Sequence, residues 1–441
     1  VLIRTLVRIK VLAKRGSYFS ATINMMTKKQ EILALFLILV LAGFLRLWQL
    51  DTIPPGLYPD VAINGNDALN ALQNRDFKVF YPENNGREGL FFNLIALSFA
   101  IFGPSVWAIK IVAALIGFLT VLGTYLLVKE IFSTNKYLPL ISSFLLATSF
   151  WHLNFSRFGF RAIMVPFFLV FFSYFLFHAF QKKEIWSVAF AGAVFGWGFH
   201  TYIAFRVAPL ILPFLLIPYW LSYRTENRQK QFFIFTFCFL LFTLIAAAPI
   251  GLYFLTNPQD FISRAAGVSV FSSVSPILEL AKSFFIHLQM FVFAGDSNWR
   301  HNFAGQPAIA FPLGILMYFG LVFSLKEAFS SLKQKNWPVL TNHGFLLSWF
   351  FAMLLPGVLT VEGIPHQLRT IGVIPAAYVF VSLGVFKTFE FLSSRKKILS
   401  AILLIIVILV GFGDVYKYFF VWARNNEVQG AFTVKYVKIA D

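Results

Sequence analysis

Runs of roughly twenty apolar residues, each long enough to cross about 30 Å of hydrocarbon, recur along this chain. They fall near 31–48, 106–128, 137–153, 162–180, 185–200, 207–221, 231–254, 308–325, 343–361, 370–388 and 398–420. With 58% hydrophobic and 13% charged residues, the chain has too little polar surface to cover a water-soluble globule. Strict polar/apolar alternation over ten-residue stretches is absent, which argues against an outer-membrane barrel and leaves helices to satisfy the backbone in lipid. The expected fold is an all-α polytopic membrane protein with about eleven transmembrane helices.

The net charge of +18 resides in small basic clusters between apolar runs, where the bias of Lys and Arg toward cytoplasmic loops places them. Nucleic acid is therefore not the expected partner; membrane lipids are. One further apolar stretch, Leu90 to Gly103, is only some fourteen residues long and carries Asn93 and Ser98, the length of a re-entrant or interfacial helix. If it does not cross, the N-terminus, Lys129 with Lys136, Lys182 with Lys183, Arg224/Arg228/Lys230, Lys326/Lys333/Lys335 and Arg395/Lys396/Lys397 share one side. If it crosses, the N-terminus opposes the rest. The first alternative obeys the charge bias and puts the N-terminus in the cytoplasm and the C-terminus outside.

This reading divides the chain into a basic cytoplasmic segment (1–30), a transmembrane domain (31–423) and an outer C-terminal segment (424–441) whose abrupt stop suggests truncation. Translation is expected to begin at Met25 or Met26, and the first span is expected to stay uncleaved. Loops of about 49–105 and 255–307 emerge outside, and long connections of this kind usually carry function. The lone Cys238 rules out an intrachain disulfide and reads as a buried, inert thiol. No internal repeat supports an inverted-repeat transporter.

The first outer loop contains Pro54-Pro55-Gly56-Leu57-Tyr58-Pro59-Asp60-Val61, then Arg87-Glu88-Gly89-Leu90-Phe91. A carboxylate at Asp60 can take a proton from a hydroxyl, hold a metal, or simply cap a helix. The loop resembles the first outer loop of the GT-C superfamily of polyprenyl-phosphate-sugar-dependent glycosyltransferases, which includes protein O-mannosyltransferases and lipid A aminoarabinose transferases. In those relatives an Asp-Glu pair follows the first span, and an Arg-Glu-Pro-Leu-Phe type motif opens a juxtamembrane helix. Asp60 matches the Asp; Arg87 and Glu88 match the second motif, with Gly89 in place of Pro. Val61 stands where the family has Glu, which leaves open a one-carboxylate mechanism, a specialised acceptor or lost activity. The resemblance spans about residues 31–423, but only these first-loop motifs are specific.

Other polar groups fall on the same side. Arg157 and Arg161 would share a face if the turn between them is helical, and two guanidiniums there would suit a phosphate; headgroup snorkelling is the alternative. His200 and Arg206 flank the next turn, as donor contacts or as interfacial anchors. Asp296, Arg300 and His301 sit in a polar run amid aromatics, read as the wall of a sugar cavity or as a solvated loop, without a recognisable metal spacing. His366 and Arg369 follow a Pro-His…Arg pattern that resembles the family's and implies donor-phosphate contacts. His178, His287 and His343 read as structural, and Glu130, Glu184, Glu279 and Glu327 as solvated surface.

The resemblance implies an inverting transferase that moves a hexose or pentose from a polyprenyl-phosphate donor to a protein, lipid or glycan acceptor outside a prokaryotic cell membrane. Asp60 would be the base and the outer arginines would hold the phosphate. A divalent metal is compatible with Asp60, and no metal ligand set is assigned. A flippase for lipid-linked glycans would want the same cations, yet mid-span Asp and Glu for coupling are nearly missing; Val61 motivates a non-catalytic partner in envelope assembly.

Overall fold

The computed structural model describes residues 26–393 and 397–435. The basic segment before Met26, Arg395 with Lys396, and the last six residues lie outside them. Nine of the described helices are long and apolar enough to cross a membrane: α1 (Lys28–Leu47), α4 (Val106–Ile131), the span ending in α7 (Met164–Lys182), the span ending in α9 (Leu212–Thr225), α10 (Gln229–Thr256), α13 (Phe311–Gln334), α14 (Trp337–Val358), the span containing α15 (Ile374–Ser393) and that beginning with α16 (Lys397–Tyr416). Two shorter apolar helices complete the expected eleven. α5 (Tyr137–Thr148) is prolonged by α6 (Phe150–Phe158) after a break at Ser149, and α8 (Ile185–Gly198) packs between α7 and α10.

Burial sorts the bundle into centre and rim. The span containing α15 is 89% buried and α4 is 72% buried, whereas α1, α10 and α16 are each only 22% buried. Their exposed faces carry Phe36, Phe237, Leu244 and Leu409, as lipid-facing helices require. In the centre, α13 and α15 approach so closely that a Cβ on Gly320 would overlap the Phe380 carbonyl and one on Gly384 the Leu316 carbonyl. Small residues give backbone-to-backbone packing where lipid supplies no hydrophobic drive between helices.

Contacts divide the loops between two ends. At one end Lys129 reaches Glu31 (2.7 Å), Lys136 reaches the Met26 carbonyl, Gln181 reaches the Glu130 carbonyl and Lys183 pairs with Glu226. At the other, Lys110, one turn into α4, donates to the carbonyls of Asp51 (3.3 Å) and Pro54 (2.9 Å) just past α1. Helix α3 (Leu90–Phe102) lies wholly at this second end: Gly89 before it pairs with Val79, and Ser98 near its far terminus bonds the Ala108 carbonyl at the start of α4 (2.7 Å). Both of its ends thus sit at this end of the bundle, and the described basic clusters at 129–136, 182–183 and 224–228 gather at the end opposite Asp60.

Cys238 is half-buried at the edge of the core rather than sealed within it. Glu130 is no solvated carboxylate either, since it bonds His178.

Candidate active site

The Pro-rich exit from α1 turns into α2 (Pro59–Asn74), where Tyr58 is the cap residue and Pro59 occupies the first helical position without needing an N–H. Asp60 is thus inside the first turn and is not the cap, and its carboxylate sits where the helix dipole favours negative charge. Asn84 donates to Asp60 Oδ1 at 3.1 Å. Four and seven residues on, Asn64 and Asp67 share the face and grip one buried cation: Arg87 bonds Asn64 Oδ1 (3.1 Å) and pairs with Asp67 (2.6 Å). Val61 points the other way. It is 1% exposed and packs on Gly159, whose φ of +86° lets the chain turn there.

Arg87 and Glu88 form β2 (Arg87–Glu88), antiparallel to β1 (Phe80–Tyr81), and the intervening turn puts Asn84, Asn85 and Gly86 all at positive φ. Asn and Gly tolerate that region best. A Cβ at Gly89 would overlap the Lys78 carbonyl, and its N–H donates to Val79; a Pro there could not make that bond. The hairpin holds Asn84 and Asn85 over Asp60 at a cavity of about 100 Å³, walled also by Arg87, Arg161, Tyr202 and Leu368.

Glu88, 2% exposed, joins two more cations to this wall: Arg161 at 3.1 Å and Arg206 at 3.6 Å. Arg161 also lies over the Tyr202 ring. Arg157 does not share its face, because α6 ends at Gly159. The fully buried Arg157 instead donates to the carbonyls of Leu45, Trp48, Gln49 and Ile53, closing the C-terminus of α1. Arg206 covers the Phe261 ring and bonds its carbonyl (2.7 Å), and His200 bonds the Ala246 carbonyl (3.0 Å) away from the cavity.

The second long loop is not a solvated segment. Asp296 and His301 are buried and bonded at 2.9 Å, and His366 from the last turn brings Nδ1 to 3.8 Å from the same carboxylate. Burial raises the Asp296 carboxyl, but the His301 bond, the two imidazoles and the Asn298 N–H outweigh it and leave the group below its ordinary value. Burial, then repulsion from His301 and Arg369, holds His366 well below its own. Among the described residues, these three side chains form the one cluster of three or more His, Cys, Asp or Glu close enough to share a metal ion. Arg300 lies 4.1 Å from the ring centroid of Tyr58, the cap of the helix that carries Asp60. Arg369 is held by Thr360 and Glu362.

Of the twelve residues singled out from sequence, Asp60, Arg87 and Arg161 therefore meet at the cavity. Glu88 stands directly behind its wall, through Arg161, and Arg300 lies against Tyr58, the cap of the helix that carries Asp60. Residues 90–253 match the family described as dolichyl-phosphate-mannose-protein mannosyltransferase. Across almost the whole chain the fold matches two solved structures. One is the oligosaccharyltransferase AglB of Archaeoglobus fulgidus with an inhibitory peptide and a dolichol-phosphate (TM-score 0.54, 16% identity, 91% of this chain and 56% of that one). The other is ArnT of Cupriavidus metallidurans bound to undecaprenyl phosphate (TM-score 0.51, 12% identity, 93% and 75%). The chain shares the fold of these two structures, and within it residues 90–253 are similar to that mannosyltransferase family. It is also 30% identical over 204 residues to YkcB of Bacillus subtilis strain 168, assigned as a mannosyltransferase, covering 43% of this chain and 27% of that relative. The chain thus spans about a quarter of YkcB and little more than half of AglB.

Within this fold Asn64, Asp67, Asn84, Asn85 and Tyr202 also line or brace the cavity, although the sequence does not single them out. The spacing of Asp60, Asn64 and Asp67 along one helical face was a signal, as was the Asn-Asn-Gly turn.

Proposed function

We propose that the chain is a membrane glycosyltransferase in which the cavity under the Asn84–Asn85 turn is the reaction site, with a polyprenyl-phosphate sugar as donor. The carrying observation is that one carboxylate, Asp60, and two guanidiniums, Arg87 and Arg161, line a single polar cavity at the end of a bundle whose fold is shared with proteins bound to dolichol-phosphate and undecaprenyl phosphate. In this reading Asp60 accepts the proton of the acceptor hydroxyl as the oxygen attacks the anomeric carbon, inverting it, and the sugar–phosphate bond breaks toward the cations. Arg161 is the better placed of the two for phosphate, because it and Arg206 share the single Glu88 carboxylate, two cations to one anion, whereas Arg87 is matched by Asp67. Glu88 and Arg206 orient Arg161.

The site faces outside the cytoplasm, since the Lys-rich loops gather at the opposite end. His366 and Arg369 serve here as supports of the adjoining wall. The burial of Val61 favours a mechanism with a single carboxylate at this position. The test supplies purified protein with a short-chain polyprenyl-phosphate mannose and follows release of polyprenyl phosphate. Wild type should release it, and Asp60→Asn should be slower by at least about 10²-fold, the usual contribution of a positioned base. Equal release by both would remove Asp60 from the chemistry; no release by wild type with any lipid-linked sugar would sink the reading.

A further inference from the structure

We propose that Asp296, His301 and His366 bind a divalent transition-metal ion of the zinc class, tying the second long loop to the last turn of the same end. The ligand atoms of the three side chains all lie within 4.8 Å of one another. Both imidazoles turn Nδ1 toward one oxygen, Asp296 Oδ2, at 2.9 and 3.8 Å. The longer separation is no hydrogen bond, and the Arg369 N–H reaches the same Nδ1 only at a long 3.4 Å, so neither contact holds the second imidazole firmly in its aim at the carboxylate. A cation seated among the three accounts for it.

The surroundings hold the set in place. The Asn298 N–H fixes Asp296 Oδ1 (2.8 Å) and the Gln367 N–H fixes Oδ2 (2.9 Å). Phe155 stacks on the His301 ring. His287 Nδ1 bonds the Ser283 carbonyl (2.8 Å), leaving Nε2 to accept the His366 N–H (3.2 Å) and anchor the last turn. Such outer bonds orient ligands at metal sites. Two imidazoles with one carboxylate suit zinc and its neighbours, whereas magnesium and calcium prefer all-oxygen shells. Three protein ligands leave a fourth position for water. The ion would fix the wall that presents Leu368 to the cavity and Arg300 to Tyr58; it does not depend on the reaction proposed above.

The test uses the full chain in detergent, without a polyhistidine tag, stripped by chelator and titrated with zinc chloride against a chromophoric competitor, with magnesium chloride as control. Wild type should take up one zinc equivalent and no competing magnesium, and Asp296→Asn and His366→Gln should each weaken binding at least 10-fold. X-ray absorption of zinc-loaded wild type should show a nitrogen and oxygen shell with Zn–N near about 2.0–2.1 Å. Failure of wild type to retain zinc, a sulfur scatterer from Cys238, or wild-type affinity in both variants would each overturn the site. If a variant fails to fold, the wild-type titration and absorption shell still decide, and neither depends on polyprenyl phosphate release.

Discussion

Asp60 and Val61 are neighbours with opposite fates, and one helical turn separates the reasons. Asp60 faces Asn84 and the cavity, while Val61, rotated by about 100° on the same helix, is sealed against Gly159. The position that carries Glu in relatives is 1% exposed here and packed on Gly159, so restoring the acid would bury a charge rather than restore a pair. Val61→Glu should destabilise the protein by about 3–5 kcal/mol, the cost of an uncompensated buried charge, with a matching fall in the detergent unfolding midpoint. A stable and more active variant would show that the side chain swings into the cavity instead. Identity at these two positions was readable from sequence; the direction of each side chain was not, because it depends on Tyr58 rather than Asp60 being the cap.

Among elements, the ends of the helices decide which cations are available to a ligand. Arg157 and Arg46 look alike in sequence to Arg161, yet they satisfy backbone carbonyls: Arg157 at the end of α1, and Arg46 at Ala42 and at Ala147 before the break between α5 and α6. Carbonyls at and just past a helix end lack partners within the helix and leave no trace in a sequence, so a buried arginine serving them reads as a ligand contact. The apolar spans, the short helix α3 and the loop that carries Asp60 were legible because apolar length and charge bias are linear signals. The pairings of Arg87 with Asp67 and of Glu88 with Arg161 and Arg206 were not, since they join residues by fold. Arg157→Met should leave the carbonyls of Leu45, Trp48 and Ile53 short of a donor, each worth about 1–3 kcal/mol when buried, while the Gln49 carbonyl still accepts the Ile53 N–H. Its midpoint of thermal unfolding should drop well below that of Arg161→Met, measured side by side in the same detergent. The reverse order would make Arg161 the structural residue and remove it from the cavity's chemistry.

For the whole molecule, the decisive relation is which loops share an end of the bundle. Helix α3 starts beside Val79 and finishes beside Ala108, so α4 begins at the end where α1 finishes and carries Lys129 back to Glu31. Every described loop contributing to the cavity then lies opposite the Lys129–Glu31 end, and the charge bias assigns that end to the cytoplasm. Single cysteines placed in a Cys238→Ser background test this directly. Asn85→Cys, exposed on the hairpin turn, should react with a membrane-impermeant maleimide in intact cells, whereas Lys183→Cys, exposed between α7 and α8, should react only after permeabilisation. The opposite pattern would invert the protein in the membrane and place the proposed donor in the inner leaflet. Labelling of both sites in intact cells would mean that α3 and its neighbours do not fix the parity of the bundle, and the shared end that brings Asp60, Arg161 and Leu368 together would lose its basis.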